Sequence, residues 1–191
     1  MALSSRLSAH LSPANVTELS LAAEHARMIG LPLNHHLTVH LANLDEVPGR
    51  NLPQQRLADF LERARHWLDR RGYRLAAIWV IEAGMRGPHV HVHLHLPMHL
   101  VAAFKAMVAG WLRHDPGGDQ HSAAIQLDHA PRSAGLLRYL FKGMEPAAAA
   151  AYRVRPVPQG TIRGKRCGCT HVLGRTARRR WSSPQPEHLA A

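Results

Sequence analysis

The stretch Gly87-Pro-His-Val-His-Val-His-Leu-His-Leu-Pro97 alternates imidazole and aliphatic side chains without a break. Such a pattern makes two chemically uniform faces on a strand, because neighbouring strand residues point to opposite sides. His89, His91, His93 and His95 share one face, and Val90, Val92, Leu94 and Leu96 share the other. The rest of the chain must supply an apolar partner for one side and an environment for four imidazoles on the other.

The four histidines cannot serve one ion, because alternate strand residues are about 6.6 Å apart and the outer pair about 20 Å. An adjacent pair can converge, and the preceding segment selects which. Leu75-Ala-Ala-Ile-Trp-Val-Ile-Glu82 is a β-prone apolar run, separated from the histidine strand by Ala83-Gly-Met-Arg-Gly87. A hairpin loop over 84–87 sets Ala83 against Pro88, Glu82 against His89 and Val80 against His91. Glu82 then sits opposite His89 and diagonal to His91, within reach of a shared ion. His93 and His95 face Ile78 and Ala76, with no carboxylate near, and are expected to be partly buried. Glu82, His89 and His91 are the expected metal triad. Two imidazoles and a carboxylate suit Mn²⁺, Mg²⁺, Zn²⁺ or Fe²⁺, so the ligand set alone leaves the metal open.

The elements around the hairpin follow from periodicity. A short helix is expected around Val16 to Met28, ended by Gly30 and Pro32. In Asn34-His-His-Leu-Thr-Val-His-Leu41, Leu37, Val39 and Leu41 alternate with His36, Thr38 and His40, as in a half-buried strand. Residues 45–53 read as loop. From Pro53 to Arg71, Leu57, Phe60, Leu61, Ala64, Trp67 and Leu68 recur at helical spacing, and Gly72 stands where a C-terminal cap belongs. Leu100, Val101, Phe104, Val108, Trp111 and Leu112 mark another amphipathic helix, running into a turn at 114–118. Residues 123–129 read as a strand. Ser133 to Met144 reads as a short helix capped by Ser133 and stopped near Gly143. This order predicts an α+β fold: a central antiparallel sheet with helices packed on one face and the metal site on the other.

The chain has 191 residues, with 24 Lys and Arg against 13 Asp and Glu, for a formal charge of +11. That length accommodates one domain with extensions. The charge points to a polyanionic partner, with nucleic acid the first candidate. Two cysteines, Cys167 and Cys169, are too close for an easy structural disulfide and fit a reducing cytoplasm. No run of about 20 apolar residues predicts a membrane span, and the N-terminus lacks the apolar core of a signal peptide. A soluble cytoplasmic protein is expected.

On the helix that begins at Ser133, Tyr139 and Lys142 are three residues apart and share a face. Alone, such a pair reads as packing and solvation. Beside a metal triad it gains another meaning, because a phenol becomes a nucleophile where a cation favours the phenolate, and an ammonium balances charge on an attacked phosphate.

Gly87-Pro-His-Val-His91, with Glu82 seven residues ahead of His89 and Tyr139-Leu-Phe-Lys142 about 50 residues on, resembles the HUH single-strand DNA endonucleases, in particular rolling-circle replication initiators of plasmids and phages. Leu33-Asn-His-His-Leu-Thr-Val-His40 takes the place of that family's first strand motif. The resemblance covers residues 31–145 and implies a mechanism. Mg²⁺ or Mn²⁺ on Glu82, His89 and His91 would polarise a scissile phosphate. Tyr139 would attack it, leaving a 5′-phosphotyrosyl DNA and a free 3′-hydroxyl, and Lys142 would stabilise the developing charge. A strand's 3′-hydroxyl could later reverse the attack, rejoining DNA without ATP. One tyrosine lies in the motif, with Tyr152 the fallback beyond Pro146 and an alanine tract. The implied partner is single-stranded DNA or a DNA hairpin. No Walker A pattern occurs, so unwinding falls to a separate host helicase. No membrane partner is expected, and oligomeric state is not readable.

The expected organisation is an N-terminal extension over 1–30, the endonuclease-like domain over 31–145, and a basic extension over 146–191, disordered in part. Arg138 on the tyrosine helix, with Arg153, Arg155, Arg163, Lys165, Arg166, Arg178, Arg179 and Arg180, is expected to meet the DNA backbone; Arg175 adds charge and Trp181 a stacking group. Cys167-Gly-Cys169-Thr-His171 offers three close donors without a fourth and is not read as a zinc site.

Four other readings share parts of this pattern. A transposase of a small insertion element would use the same histidine pair and tyrosine, but the Tyr-x-x-Lys spacing favours an initiator. Two-histidine phosphoesterases match at His36-Leu-Thr38 but need a second such motif, which the histidine strand does not supply. A cupin-type oxygenase places its glutamate after the histidines, not before, and gives the charge no role. A non-catalytic, metal-binding DNA-binding protein would leave Tyr139 as packing.

Overall fold

A computed structural model describes residues 7–41, 52–84, 87–111, 125–130 and 133–182. The loop expected at 45–51, Leu112, the turn at 114–118 and residues 123–124 lie outside the described residues, as does the side chain of Ser133 expected to cap a helix.

The centre is a five-stranded antiparallel sheet. Its strands are β2 (His35–His40), β3 (Ala77–Gly84), β4 (Gly87–Leu94), β5 (Ile125–His129) and β7 (Cys167–Cys169), in the spatial order β5-β2-β4-β3-β7. β1 (Leu7–Ser8) and β6 (Ile162–Arg163) form a separate two-stranded pair. The helices are α1 (Pro13–Met28), α2 (Pro53–Asp69), α3 (Val101–Ala109), α4 (Ser133–Leu140), the single turn α5 (Pro146–Ala149) and α6 (Arg175–Ser182).

The β3–β4 hairpin has the expected register, with Glu82 opposite His89, Ala83 opposite Pro88, Val80 opposite His91 and Ile78 opposite His93. The turn uses two glycines differently. Gly87 adopts φ +89, in the region that disfavours side chains. A Cβ on Gly84 would lie 3.1 Å from the His89 ring, so its absence lets that imidazole lie over the end of the hairpin.

One side of the sheet is covered as the helical periodicity predicts. Leu57, Phe60, Ala64, Trp67 and Leu68 of α2, with Phe104 and Val108 of α3, pack on Val90, Val92, Leu94 and Leu96 and on Ala77, Trp79 and Ile81. Pro53 opens α2 at a position where its missing N–H costs no helical bond. Gly72, at φ +78, ends it where Tyr73 N–H donates to Leu68 O. The α+β expectation holds, with α2 and α3 on one face and the candidate site on the other.

The site-bearing face is not bare. At its β3–β7 end, Ala76, Ile78 and Val80 join Val16, Leu19, Ala22 and Ala26 of α1 and Leu140, Phe141 and Met144 in a second apolar core. β7 is an element that the sequence reading did not resolve. Gly168 pairs with Trp79, and a Cβ there would fall 2.7 Å from the indole, so the Cys-Gly-Cys sequence is what fits that edge. α6 is tied to α1 by two guanidinium–carboxylate pairs, Arg175 to Glu18 at 2.7 Å and Arg178 to Glu18 at 2.6 Å. Among the described residues no helix is long and apolar enough to cross a membrane.

Candidate active site

The hairpin brings three donors to one point. His89 Nε2 lies 3.3 Å from Glu82 Oε2, and His91 Nε2 lies 3.2 Å from the same oxygen. One ligand atom from each residue lies within 4.8 Å of the others, making this the one such group among the described residues. Burial alone would raise the Glu82 carboxyl, but hydrogen bonds from His89 and His91 and the nearby Lys142 charge outweigh it and hold Glu82 well below the usual carboxylate range. Burial lowers His91. The site is therefore an ionised carboxylate beside an imidazole held neutral, the protonation states a divalent cation requires. Glu82 Oε1 and His89 Nδ1 are buried without a hydrogen-bond partner. Orphaned buried polar atoms are costly, and a cation is one way of offsetting that cost here. The donor set fits a divalent metal, and its mixed character leaves the metal's identity open.

α4 and the 3₁₀ turn after it, Phe141–Gly143, bring the second half of the site. Tyr139 is 43 % exposed, and its ring meets the His91 ring edge-on at 5.1 Å and the His36 ring at 5.7 Å. Lys142 Nζ lies 3.1 Å from Glu82 Oε2 and 3.8 Å from the centre of the Tyr139 ring. The ammonium thus touches both the carboxylate and the face of the phenol. Spacing put Tyr139 and Lys142 on one face; the tertiary fold put that face on the triad.

Three further residues belong to this cluster. Thr38 stands opposite His91 in the β2–β4 register, and its Oγ1 lies 3.0 Å from His91 Nδ1 and 3.1 Å from His36 Nε2. The His36 ring stacks on His91 at 5.2 Å and meets His93 edge-on at 4.8 Å. Burial, with the charge of His91 adding to it, pushes His36 down to about 4; burial and neighbouring His36 push His93 down to about 3. The alternation of β2 was the signal for His36 and Thr38, but nothing local shows which strand lies beside it. His95, at the strand's end, turns away, with Nδ1 2.9 Å from Pro32 O.

The basic residues do not form one group. Arg138, Arg153, Arg155, Arg163, Lys165, Arg179 and Arg180 are exposed. Arg166 is buried, its guanidinium directed at Ser8 O and Gly160 O, and Arg178 is engaged with Glu18 and Leu173 O. Tyr152, the fallback nucleophile, packs against the second apolar core. Cys167 and Cys169 are free thiols on β7, and burial pushes Cys167 up to about 11.

Fold and site together define an antiparallel-sheet protein with a candidate divalent-metal centre flanked by a tyrosine and a lysine. Among known proteins, the model of the replication-associated protein (ORF2) family matches residues 36–145, more than half of the chain, and this chain belongs to that family. The matched span runs from His36 through the triad to just beyond Lys142. No curated protein and no solved structure matches the chain.

Proposed function

We propose that this protein nicks and rejoins single-stranded DNA through a covalent 5′-phosphotyrosyl intermediate, as an HUH endonuclease of the rolling-circle initiator type. The observation that carries this reading is the meeting of Tyr139, Lys142 and the Glu82–His89–His91 group at one place, from elements distant in sequence. A Mg²⁺ or Mn²⁺ ion held by Glu82, His89 and His91 would supply Lewis-acid polarisation of the scissile phosphate. The chain's own residues supply the rest.

Tyr139 Oη attacks the phosphorus, the bond to the 3′-oxygen breaks, and that oxygen takes up a proton as the phenol loses its own. One phosphodiester replaces another, so a 3′-hydroxyl can reverse the step and reseal a strand. Lys142 offers positive charge both to the phenolate and to the attacked phosphate. Its position against the Tyr139 ring and Glu82 supports that double role.

In this reading residues 31–145 are the endonuclease unit, and 1–30 and 146–191 are its extensions. Exposed Arg138, Arg153, Arg155, Arg163, Lys165, Arg179 and Arg180 meet the DNA backbone, with a strong salt dependence as the expected signature. Unwinding is left to a separate helicase, and the protein works in the cytoplasm.

The test is incubation of the full chain with a pool of single-stranded oligonucleotides and Mn²⁺, followed by mass analysis of the protein. A protein–DNA adduct that maps to Tyr139 and disappears with EDTA is expected. An adduct that persists undiminished in Tyr139→Phe, or none with any oligonucleotide or hairpin, would overturn the assignment.

A further inference from the structure

His91 is held from both ends, and the far end is not explained by the triad. Its Nε2 faces Glu82 Oε2 at 3.2 Å, while its Nδ1 faces Thr38 Oγ1 at 3.0 Å. Thr38 Oγ1 in turn lies 3.1 Å from His36 Nε2, giving the chain Glu82, His91, Thr38, His36. A hydroxyl carries one proton, so Thr38 cannot donate to both imidazoles; it donates to one and accepts from the other.

Two arrangements satisfy that rule. In the first, His91 carries its proton on Nε2 and donates to Glu82, Thr38 donates to His91 Nδ1, and His36 Nε2–H donates to Thr38. In the second, His91 carries its proton on Nδ1 and donates to Thr38, whose own proton goes to His36 Nε2. Only the second turns a lone pair of His91 toward the point where Glu82 Oε2 and His89 Nε2 converge. Imidazole ligands depend in this way on what the other ring nitrogen donates to.

We propose that Thr38 and His36 form a hydrogen-bond relay that switches His91 from the first arrangement to the second when a divalent cation binds. The protons balance without charging either ring. One leaves Nε2 of His91 and one is taken up at Nδ1 of His36, while the Thr38 and His36 Nε2 protons each cross one hydrogen bond. Thr38 and His36 are positioning residues, acting through His91. The proposal rests on the triad being a metal site, and it concerns how one ligand is made ready, not what the metal does.

The test uses the full chain and Mn²⁺ alone, with affinity read by calorimetry and folding checked by thermal melts. Thr38→Val, which keeps the branched shape but loses the hydroxyl, should weaken Mn²⁺ binding about 10- to 100-fold, the usual effect of removing such an outer partner. Thr38→Ser restores the hydroxyl and should bind within about threefold of wild type, and His36→Phe should fall between the two. ¹⁵N shifts of the His91 ring, recorded with and without Mg²⁺, should move the proton from Nε2 to Nδ1 in wild type and Thr38→Ser but not in Thr38→Val. A folded Thr38→Val protein that binds Mn²⁺ like wild type and shows the same nitrogen shifts overturns the relay and leaves the metal reading intact. Wild type that binds no Mn²⁺ overturns the metal reading and the relay with it.

Discussion

The two faces of β4 are equally buried and chemically opposite. Val90, Val92, Leu94 and Leu96 are at most 1 % exposed against α2 and α3, while His91 and His93 are 4 % and 1 % exposed on the other side. On the apolar face, burying each aliphatic side chain contributes roughly 1.5–3 kcal/mol. On the histidine face burial works against folding, since it strips water from imidazoles and leaves His93 Nε2 and His36 Nδ1 without partners. A strand that stabilises the protein from one side and strains it from the other has the signature of a functional surface. α1 and the second apolar core stabilise the remainder of that face, where Ile78 and Val80 replace histidines.

The largest effect should come from the nucleophile. Tyr139→Phe is expected to lower adduct formation by roughly 10⁴-fold or more, as loss of a catalytic nucleophile does, with the melting temperature little changed because the ring contacts survive. Unchanged cleavage would make this half of the face mere packing.

Leu94→Ala tests the opposite side. It should cost about 2–5 kcal/mol in urea unfolding, the range for deleting a buried leucine. Mn²⁺ affinity of the folded fraction should hold. If affinity fell in proportion to stability, the two faces would not be separable.

Acid should expose the strain directly. His36 and His93 titrate near 4 and 3 when folded and near 6.5 when unfolded, so the unfolded chain takes up protons that the native state refuses. Their stabilising contribution is complete above pH 6.5. It should be lost as pH falls, at about 1.4 kcal/mol per pH unit for each histidine, two of them down to about 4 and His93 alone below that. Urea unfolding in EDTA between pH 7.5 and 5 measures the slope, and His93→Leu should roughly halve it. A flat profile would contradict the buried, neutral imidazoles.

The smallest effect has a counterintuitive sign. Lys142 already places a positive charge 3.1 Å from Glu82 Oε2, where it competes with any cation. Lys142→Met should therefore tighten Mn²⁺ binding by about 3- to 10-fold while impairing cleavage, since a neighbouring unit charge in a partly buried site is worth on the order of 1 kcal/mol. Weaker binding in that variant would mean that Lys142 organises the ligands.

The hairpin and its triad were legible in the sequence because their determinants are local. Strict alternation leaves one choice of face, and a turn over 84–87 leaves one register, so Glu82 had to stand opposite His89. α2 was legible for the same reason, with its period of apolar residues and Gly72 as its stop. The sequence also paired Tyr139 with Lys142, since three residues on a helix is a fixed geometry.

Only the tertiary structure decided what that pair faces, which strand lies beside β4 to bring Thr38 to His91, and that Cys167 to Cys169 close the sheet. A three-residue strand centred on glycine carries no periodicity, and α1 finds its place only once β3 exists to receive it. Those contacts join segments far apart in the chain, and neither spacing nor propensity encodes a partner that distant. Periodicity tells a residue which way to point, and folding alone determines what it meets there.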